Sequence, residues 1–140
     1  MDGLITFGTV VTFKDSSHYI FLAQIGTTTY LAKIIEEKRV VQDFLARRAE
    51  LEKQIEKGST RAKAIVESPL FCFVILETTE FNNCIATLAK PSMDAKQFDP
   101  KYNYGRIVAE DVKKLRDVII DNEGMSKELR DYIRNNIDVN

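Results

Sequence analysis

The first 35 residues contain three strand-like segments that are separated by turns of only three or four residues. These segments cover residues 4–13, 18–25 and 29–35, and they are rich in β-branched and aromatic residues. A parallel pairing would need a crossover of about a dozen residues or more, so the three strands must form an antiparallel meander. Both faces of the strands carry apolar side chains, which favours a strongly curved sheet or a small barrel.

The period at which apolar residues recur then changes from two residues to 3.6 residues, which predicts one inserted helix over residues 37–58. The apolar positions that recur on this helix are Val41, Phe44, Leu45, Leu51 and Ile55. Gly58, followed by two hydroxyl residues, is a typical helix end, so we expect the chain to leave the helix there.

The second half of the chain begins with two more strand patterns within residues 70–89, one over 70–77 and one over 84–89. A loop of about 15 residues is expected over 91–105, and loops of that length are uncommon unless they pack by their own side chains or contribute to a site. Apolar residues at helical spacing predict two C-terminal helices within residues 106–138, and Ser126 is the expected N-cap of the second.

The predicted order of elements is therefore βββ–α–ββ–αα. A length of 140 residues fits one domain, and the absence of βαβ alternation argues against a doubly wound fold. We expect an α+β domain over residues 1–140, with a barrel-like antiparallel sheet of five or six strands and helices on one side or at one end.

The formal net charge of −1 predicts no overall attraction for nucleic acid or for anionic lipid. The charge is unevenly distributed, however. Residues 33–63 hold nine basic and six acidic side chains, a balance of +3, whereas residues 64–100 hold two basic and five acidic, a balance of −3. The basic stretch around Arg47 and Arg48 is either a solvated helix face or a surface that follows RNA phosphates.

One histidine and two cysteines are too few for an all-protein zinc site, which usually needs four such ligands, and we expect no cofactor. Cys72 and Cys84 fall in neighbouring strand patterns. They are therefore either buried reduced thiols or the two halves of a disulfide. No apolar run reaches 18 residues, and the first residues lack the basic region of a signal peptide. We therefore expect a cytoplasmic protein without a membrane contact.

Two short phrases of the sequence resemble the MazF/PemK toxin family. Residues 8–13 (GTVVTF) are similar to the opening strand of that family, and residues 73–79 (FVILETT) to its later strand that ends in threonine. The resemblance covers about residues 1–90. It implies an SH3-like barrel with an inserted helix and a terminal helix, metal-independent cleavage of single-stranded RNA, a homodimer and an antitoxin partner.

The same resemblance implies site residues. Thr78 or Thr79 matches the family's catalytic threonine, whereas His18 stands where the family has an arginine near the start of the second strand. A histidine can act as an acid or base near neutral pH, but it lacks the permanent forked charge of arginine. Lys14 or Lys33 would then have to stabilise the negative charge of the transition state.

Three residues near the end of the long loop, Tyr102, Tyr104 and Arg106, form the pattern of a stacking platform for single-stranded bases, with Arg47 and Arg48 as further candidates for RNA contact. The other interpretation is that these aromatic side chains hold the loop against the body. Two functions follow from the sequence: a MazF/PemK-like endoribonuclease, or a non-catalytic module that binds and regulates another protein.

Overall fold

The fold of the protein is given by a computed structural model that describes residues 5–13, 17–88 and 92–137. In these ranges it is an α+β fold with seven strands and four helices. The strands are β1 (Thr9–Thr12), β2 (His18–Ile25), β3 (Thr28–Ile35), β4 (Phe73–Ile75), β5 (Ile85–Thr87), β6 (Ser92–Asp94) and β7 (Tyr102–Arg106). The helices are α1 (Lys38–Glu56), α2 (Thr60–Val66), α3 (Ala109–Asp121) and α4 (Lys127–Asn136).

The predicted antiparallel meander is confirmed. β2 pairs with β1 on one side and with β3 on the other, so that Ile20 lies opposite Val10 and Ala32. β2 has the predicted bounds and β3 begins one residue earlier than predicted. β1 is shorter than the apolar pattern, because only Thr9–Thr12 pairs with a neighbouring strand.

All pairings of the sheet are antiparallel, and the strand order is β4-β5-β3-β2-β1-β7. β3 is long enough to pair with β5 near its end and with β6 near its start. Within the described ranges no pairing joins β4 to β7, so the sheet there is open at these two edges.

The predicted loop over residues 91–105 is wrong, and so is the expectation of five or six strands. β6 and β7 lie in this segment and raise the number of described strands to seven. β6 has only three residues, and β7 lies at the edge of the sheet with most of its side chains exposed. Because neither strand buries a face in the core, neither shows in the sequence the long alternation of apolar and polar residues on which a strand prediction depends.

The helix predicted over residues 37–58 is present as α1, and α2, which was not predicted, follows it. Gly58 adopts a φ of 93° at the end of α1, as its position suggested. The next residue, Ser59, starts a new helix at once, because its hydroxyl accepts a hydrogen bond from the backbone N–H of Ala62 at 3.1 Å. We define the α1–α2 hairpin as residues 38–66.

The two C-terminal helices are confirmed, and Ser126 caps α4 as predicted. They cover one face of the sheet, where the buried side chains of β2 meet those of α3 and α4. This main core includes Ile20, Leu22, Leu115, Ile119, Leu129 and Ile133. No helix in the described ranges is both long enough and apolar enough to cross a membrane.

Two smaller apolar clusters lie outside the main core. Leu51, Ala62 and Phe71 form a separate buried cluster in the α1–α2 hairpin. On the face of the sheet away from α3 and α4, Phe13 packs against Tyr19 and Phe98. The ring of Phe98 also contacts that of Phe21.

Candidate nucleic-acid interface

His18 is the first residue of β2 and is held by a carboxylate. Its Nδ1 lies 2.7 Å from Oε2 of Glu36, the residue that follows β3. The histidine side chain keeps 22% of its surface exposed. With the Nδ1 proton donated to Glu36, the lone pair of Nε2 is free to accept a proton. The pair therefore has the arrangement of an oriented general base.

The ring of His18 belongs to a row of four rings across this end of the sheet. We define the aromatic row as Phe81, His18, Tyr104 and Tyr102. Successive ring centroids lie 5.1, 5.1 and 6.1 Å apart. Phe81 is buried, whereas Tyr104 and Tyr102 are 48% and 54% exposed. The row thus runs from the core to an exposed edge strand.

A positive charge stands at the exposed end of the aromatic row. Nζ of Lys101 lies 5.5 Å from the ring centroid of Tyr102. Aromatic faces that are accompanied by cations are the surfaces on which single-stranded bases stack. The sequence had placed His18 and Tyr104 in two separate candidate groups, and the structure brings the two groups together.

Thr78 follows β4 and its hydroxyl has two partners. The hydroxyl donates to Oδ2 of Asp111 and accepts from the backbone N–H of Val108 at 3.0 Å. It therefore links the residues after β4 to the start of α3. Thr79 is exposed and begins a short 3-10 helix, Thr79–Phe81, that carries Phe81 into the aromatic row.

Asp111 is fully buried in the first turn of α3 and accepts hydrogen bonds from three groups. The backbone N–H groups of Glu77 and Thr78 lie 2.8–3.0 Å from its oxygens, and the Thr78 hydroxyl is the third donor. Burial by itself would raise the pKa of this carboxyl, but the hydrogen bonds and the Lys114 ammonium at 3.5 Å hold the pKa below its usual value. Asp111 is thus a charged anchor for residues 77–78.

Lys114 completes this network on the surface side. Its Nζ donates to the backbone carbonyl of Ile75 and to Oε2 of Glu77, both at 2.8 Å. The hydrogen bond to Glu77 and the charge of Asp111 raise the pKa of Lys114. The residues that follow β4 are therefore held to α3 by backbone and side-chain contacts together.

The remaining cations that the sequence suggested for RNA contact or charge stabilisation lie in different places. Lys33 is directly opposite Tyr19 in the pairing of β2 with β3, so both project from the sheet face opposite to that of His18. Arg106 ends β7, and its guanidinium donates to the backbone carbonyl of Phe7 at 2.7 Å. Lys14 lies outside the described residues.

Arg47 and Arg48 are neighbours in sequence but have different surroundings. Arg47 is exposed on α1, beside α2. Arg48 is half-buried: its Nε donates to Glu52 at 3.0 Å, and its guanidinium carbon lies 5.7 Å from the ring centroid of Phe73. Arg48 thus joins α1 to β4, whereas Arg47 is accessible to a ligand.

Both cysteines are free thiols. Cys72 is buried, and burial raises the pKa of its thiol to about 12. Cys84 is partly buried, and burial together with the charge of Glu36 raises the pKa of its thiol. Neither thiol has the electropositive surroundings that activate a cysteine nucleophile.

Sequence reasoning missed three residues that build this region: Glu36, Phe81 and Asp111. The register of the meander could have found Glu36, because antiparallel pairing brings the end of β3 near the start of β2. Phe81 and Asp111 are distant in sequence from the residues they contact, so no local pattern reports them. Within the described ranges, no group of three or more His, Cys, Asp or Glu side chains could hold a metal ion.

Comparisons with protein-family models, with curated proteins and with solved structures found no match for this chain. What the chain can do must therefore be argued from its own residues.

Proposed function

We propose that this protein is a MazF/PemK-like endoribonuclease that binds single-stranded RNA along the aromatic row and cleaves it without a metal ion. The observation that carries the proposal is that the His18 ring contacts both Glu36 and Tyr104. Its Nδ1 lies 2.7 Å from Oε2 of Glu36, and its ring centroid lies 5.1 Å from that of Tyr104. It combines an oriented acid–base group with an exposed surface on which bases can stack.

Binding would rest on Tyr104 and Tyr102, whose exposed faces suit stacking with two successive bases. Lys101, beside Tyr102, would neutralise a backbone phosphate. Stacking does not depend on base identity, so the interface would accept single strands with little sequence preference, and it would exclude duplexes because their bases are already stacked.

Cleavage would use the 2′-hydroxyl of the nucleotide beside His18. Nε2 takes the proton from this hydroxyl, whose oxygen forms a bond with the adjacent phosphorus while the bond to the 5′-oxygen breaks. Solvent returns a proton to the leaving oxygen, and the products carry a 2′,3′-cyclic phosphate and a 5′-hydroxyl. Arg106, on the same strand as Tyr104, retains further guanidinium N–H groups that would stabilise the negative charge on the phosphate.

The proposal includes the finer features that the sequence resemblance implied. The described sheet would be the larger part of an SH3-like barrel, which is supported by its antiparallel meander and by the return of β7 to β1. A homodimer, an antitoxin partner and a cytoplasmic location accompany the family resemblance and stay predictions.

The test is cleavage of a labelled single-stranded RNA by the purified full chain in the presence of EDTA. We expect His18→Ala to lower the cleavage rate by about 100-fold or more, because the general base is lost. Glu36→Gln should give an intermediate rate, since the ring keeps a hydrogen-bonding neighbour but loses the charge. Lys33→Ala is the matched control, because Lys33 lies on the other face of the sheet and should leave the rate unchanged.

Binding is measured separately by fluorescence anisotropy with the same RNA. Tyr104→Ala should weaken binding by about tenfold, whereas Tyr132→Ala, which removes a similarly exposed ring from α4, should not. RNA that stays intact with the wild-type protein would refute the enzymatic proposal. Equal binding by the two tyrosine variants would refute the aromatic row as the RNA interface.

A non-catalytic module is the second candidate function. The observation that favours it is that the Thr78 hydroxyl is engaged by Asp111 and Val108, so it is not directed at a substrate. RNA that stays intact, together with a pull-down that retrieves one stoichiometric protein partner, would support this candidate.

A further inference from the structure

The α1–α2 hairpin contains an open cleft of about 480 Å³ between its two helices. The apolar side chains that line the cleft are the buried Leu51 and Ala62, the half-buried Ile65 and the exposed Ala46. Arg47 on α1 and Arg61 on α2 line it with exposed charges, and Glu50 also belongs to its lining. The cleft is distinct from the aromatic row, since none of its lining residues belongs to that row.

The cleft is an incomplete helix-packing surface. α1 has 19 residues and α2 has seven, so their lengths are about 28 Å and about 10 Å. α2 can therefore cover only part of α1. Val40, seven residues before Arg47 and so on the same side of α1, remains 42% exposed. Val40 and the half-buried Ile65 therefore leave apolar surface on the hairpin.

The charges at the cleft indicate the chemistry of its occupant. Among the described residues, Arg48 and Lys63 of this hairpin pair with Glu52 and Glu67. In the same ranges Arg47 and Arg61 form no ion pair. Two unpaired guanidinium groups beside apolar side chains are complementary to a partner that has carboxylates next to an apolar stripe.

We propose that this cleft binds an amphipathic helix of a protein partner, with the apolar stripe of that helix against Ala46 and Ile65 and its carboxylates against Arg47 and Arg61. RNA is the less suitable ligand, because the cleft has no aromatic side chain for stacking. This inference is independent of RNA cleavage, so either proposal can fail without the other.

The probe is a displayed library of helical peptides with a fixed Leu/Ala stripe and with Asp, Glu, Lys or Ser at the flanking positions, selected against the full-length protein. We expect selection of helices that carry Asp or Glu at one edge of the stripe. The double variant Arg47→Glu, Arg61→Glu should bind the best synthetic peptide about tenfold more weakly in anisotropy, since two exposed ion pairs are lost.

Lys38→Glu is the matched control, because Lys38 is exposed on the side of α1 away from the cleft and the substitution changes charge in the same way. The milder variant Arg47→Ala, Arg61→Ala and a circular-dichroism melt show whether the double variant is folded. Selected peptides that bind wild type and double variant equally, or no selected peptide at all, would overturn the proposal. It would also be overturned if the protein is a dimer that the double variant dissociates, because a second copy would then fill the cleft.

Discussion

Asp111 is a single buried residue that holds one side of the candidate site in place. It has no exposed surface and keeps its charge because the Glu77 and Thr78 backbone N–H groups and the Thr78 hydroxyl point at it. These donors belong to the segment that leads to Phe81, the buried end of the aromatic row. Asp111 therefore acts on the candidate site through the segment that it anchors.

We expect Asp111→Ala to lower the free energy of unfolding by about 3 kcal/mol, because it leaves two backbone N–H groups and a hydroxyl without their acceptor. Urea denaturation followed by circular dichroism measures the change. Asp131→Asn is the control, since Asp131 is a surface carboxylate on α4 paired with Lys127 and Arg134, and should have little effect. A loss as small as that of the control would show that the anchor is unimportant.

The lowered pKa of Asp111 also predicts how stability depends on pH. In the unfolded chain this carboxyl has a pKa of about 3.9, and in the folded protein its pKa lies lower. The stabilisation is therefore fully present above the unfolded-state pKa and is lost as the pH falls through the folded-state pKa. Urea midpoints measured from about pH 6 down to about pH 2 should fall less steeply for Asp111→Ala than for wild type. Parallel curves would contradict the assignment.

At the scale of elements, the α1–α2 hairpin touches β4 of the sheet through Phe44 and Arg48, which both contact the Phe73 ring. The buried Leu51 and Ala62 of the hairpin form a separate cluster with Phe71, outside the core that α3 and α4 share with β2. α2 has seven residues, too few to be stable as an isolated helix, and depends on its cap and on its packing against α1. We therefore expect the hairpin to open locally before the sheet unfolds.

Removing the cap of α2 tests this expectation. Ser59→Ala deletes the acceptor of the Ala62 N–H and should reduce hydrogen-exchange protection in α2 about fivefold, the equivalent of about 1 kcal/mol, with no change in β2 and β3. Ser126→Ala removes the matching cap of α4 and is the control. Because α4 packs in the main core, its protection should follow global stability. Equal loss of protection in α2 and in the strands after Ser59→Ala would argue against local opening.

At the scale of the whole molecule, two cores of different size share one chain. The larger core joins the sheet to the C-terminal helices, so its side chains become exposed to water only when the whole domain unfolds. The smaller core joins the hairpin to Phe71 and has three buried members in the described ranges. The same substitution should therefore have different costs in the two cores.

Leu129→Ala in the main core should lower the global free energy of unfolding by about 3 kcal/mol, through lost burial and the cavity that remains. Leu51→Ala, the matched leucine of the hairpin cluster, should cost less than half as much in the same measurement, because the hairpin can open without the sheet. Urea denaturation followed by circular dichroism at a strand wavelength compares the two. Similar costs would show that the hairpin and the sheet unfold as one unit.

The sequence by itself determined what depends on neighbours along the chain. The turns before and after β2 are too short for any pairing other than an antiparallel meander, and the apolar periods located α1, α3 and α4. Ser126 and Gly58 were correctly assigned because a helix cap acts within one turn. These features are local, so their physical cause is visible in the order of residues.

Only the tertiary structure decided what depends on residues far apart in the chain. β7 has no apolar alternation and becomes a strand only because β1 offers it an edge. The aromatic row needs Phe81, His18 and Tyr104 from three distant segments, and Asp111 finds its donors more than 30 positions away. Such contacts arise when the sheet and α3 close over a common core, and no local pattern encodes that closure.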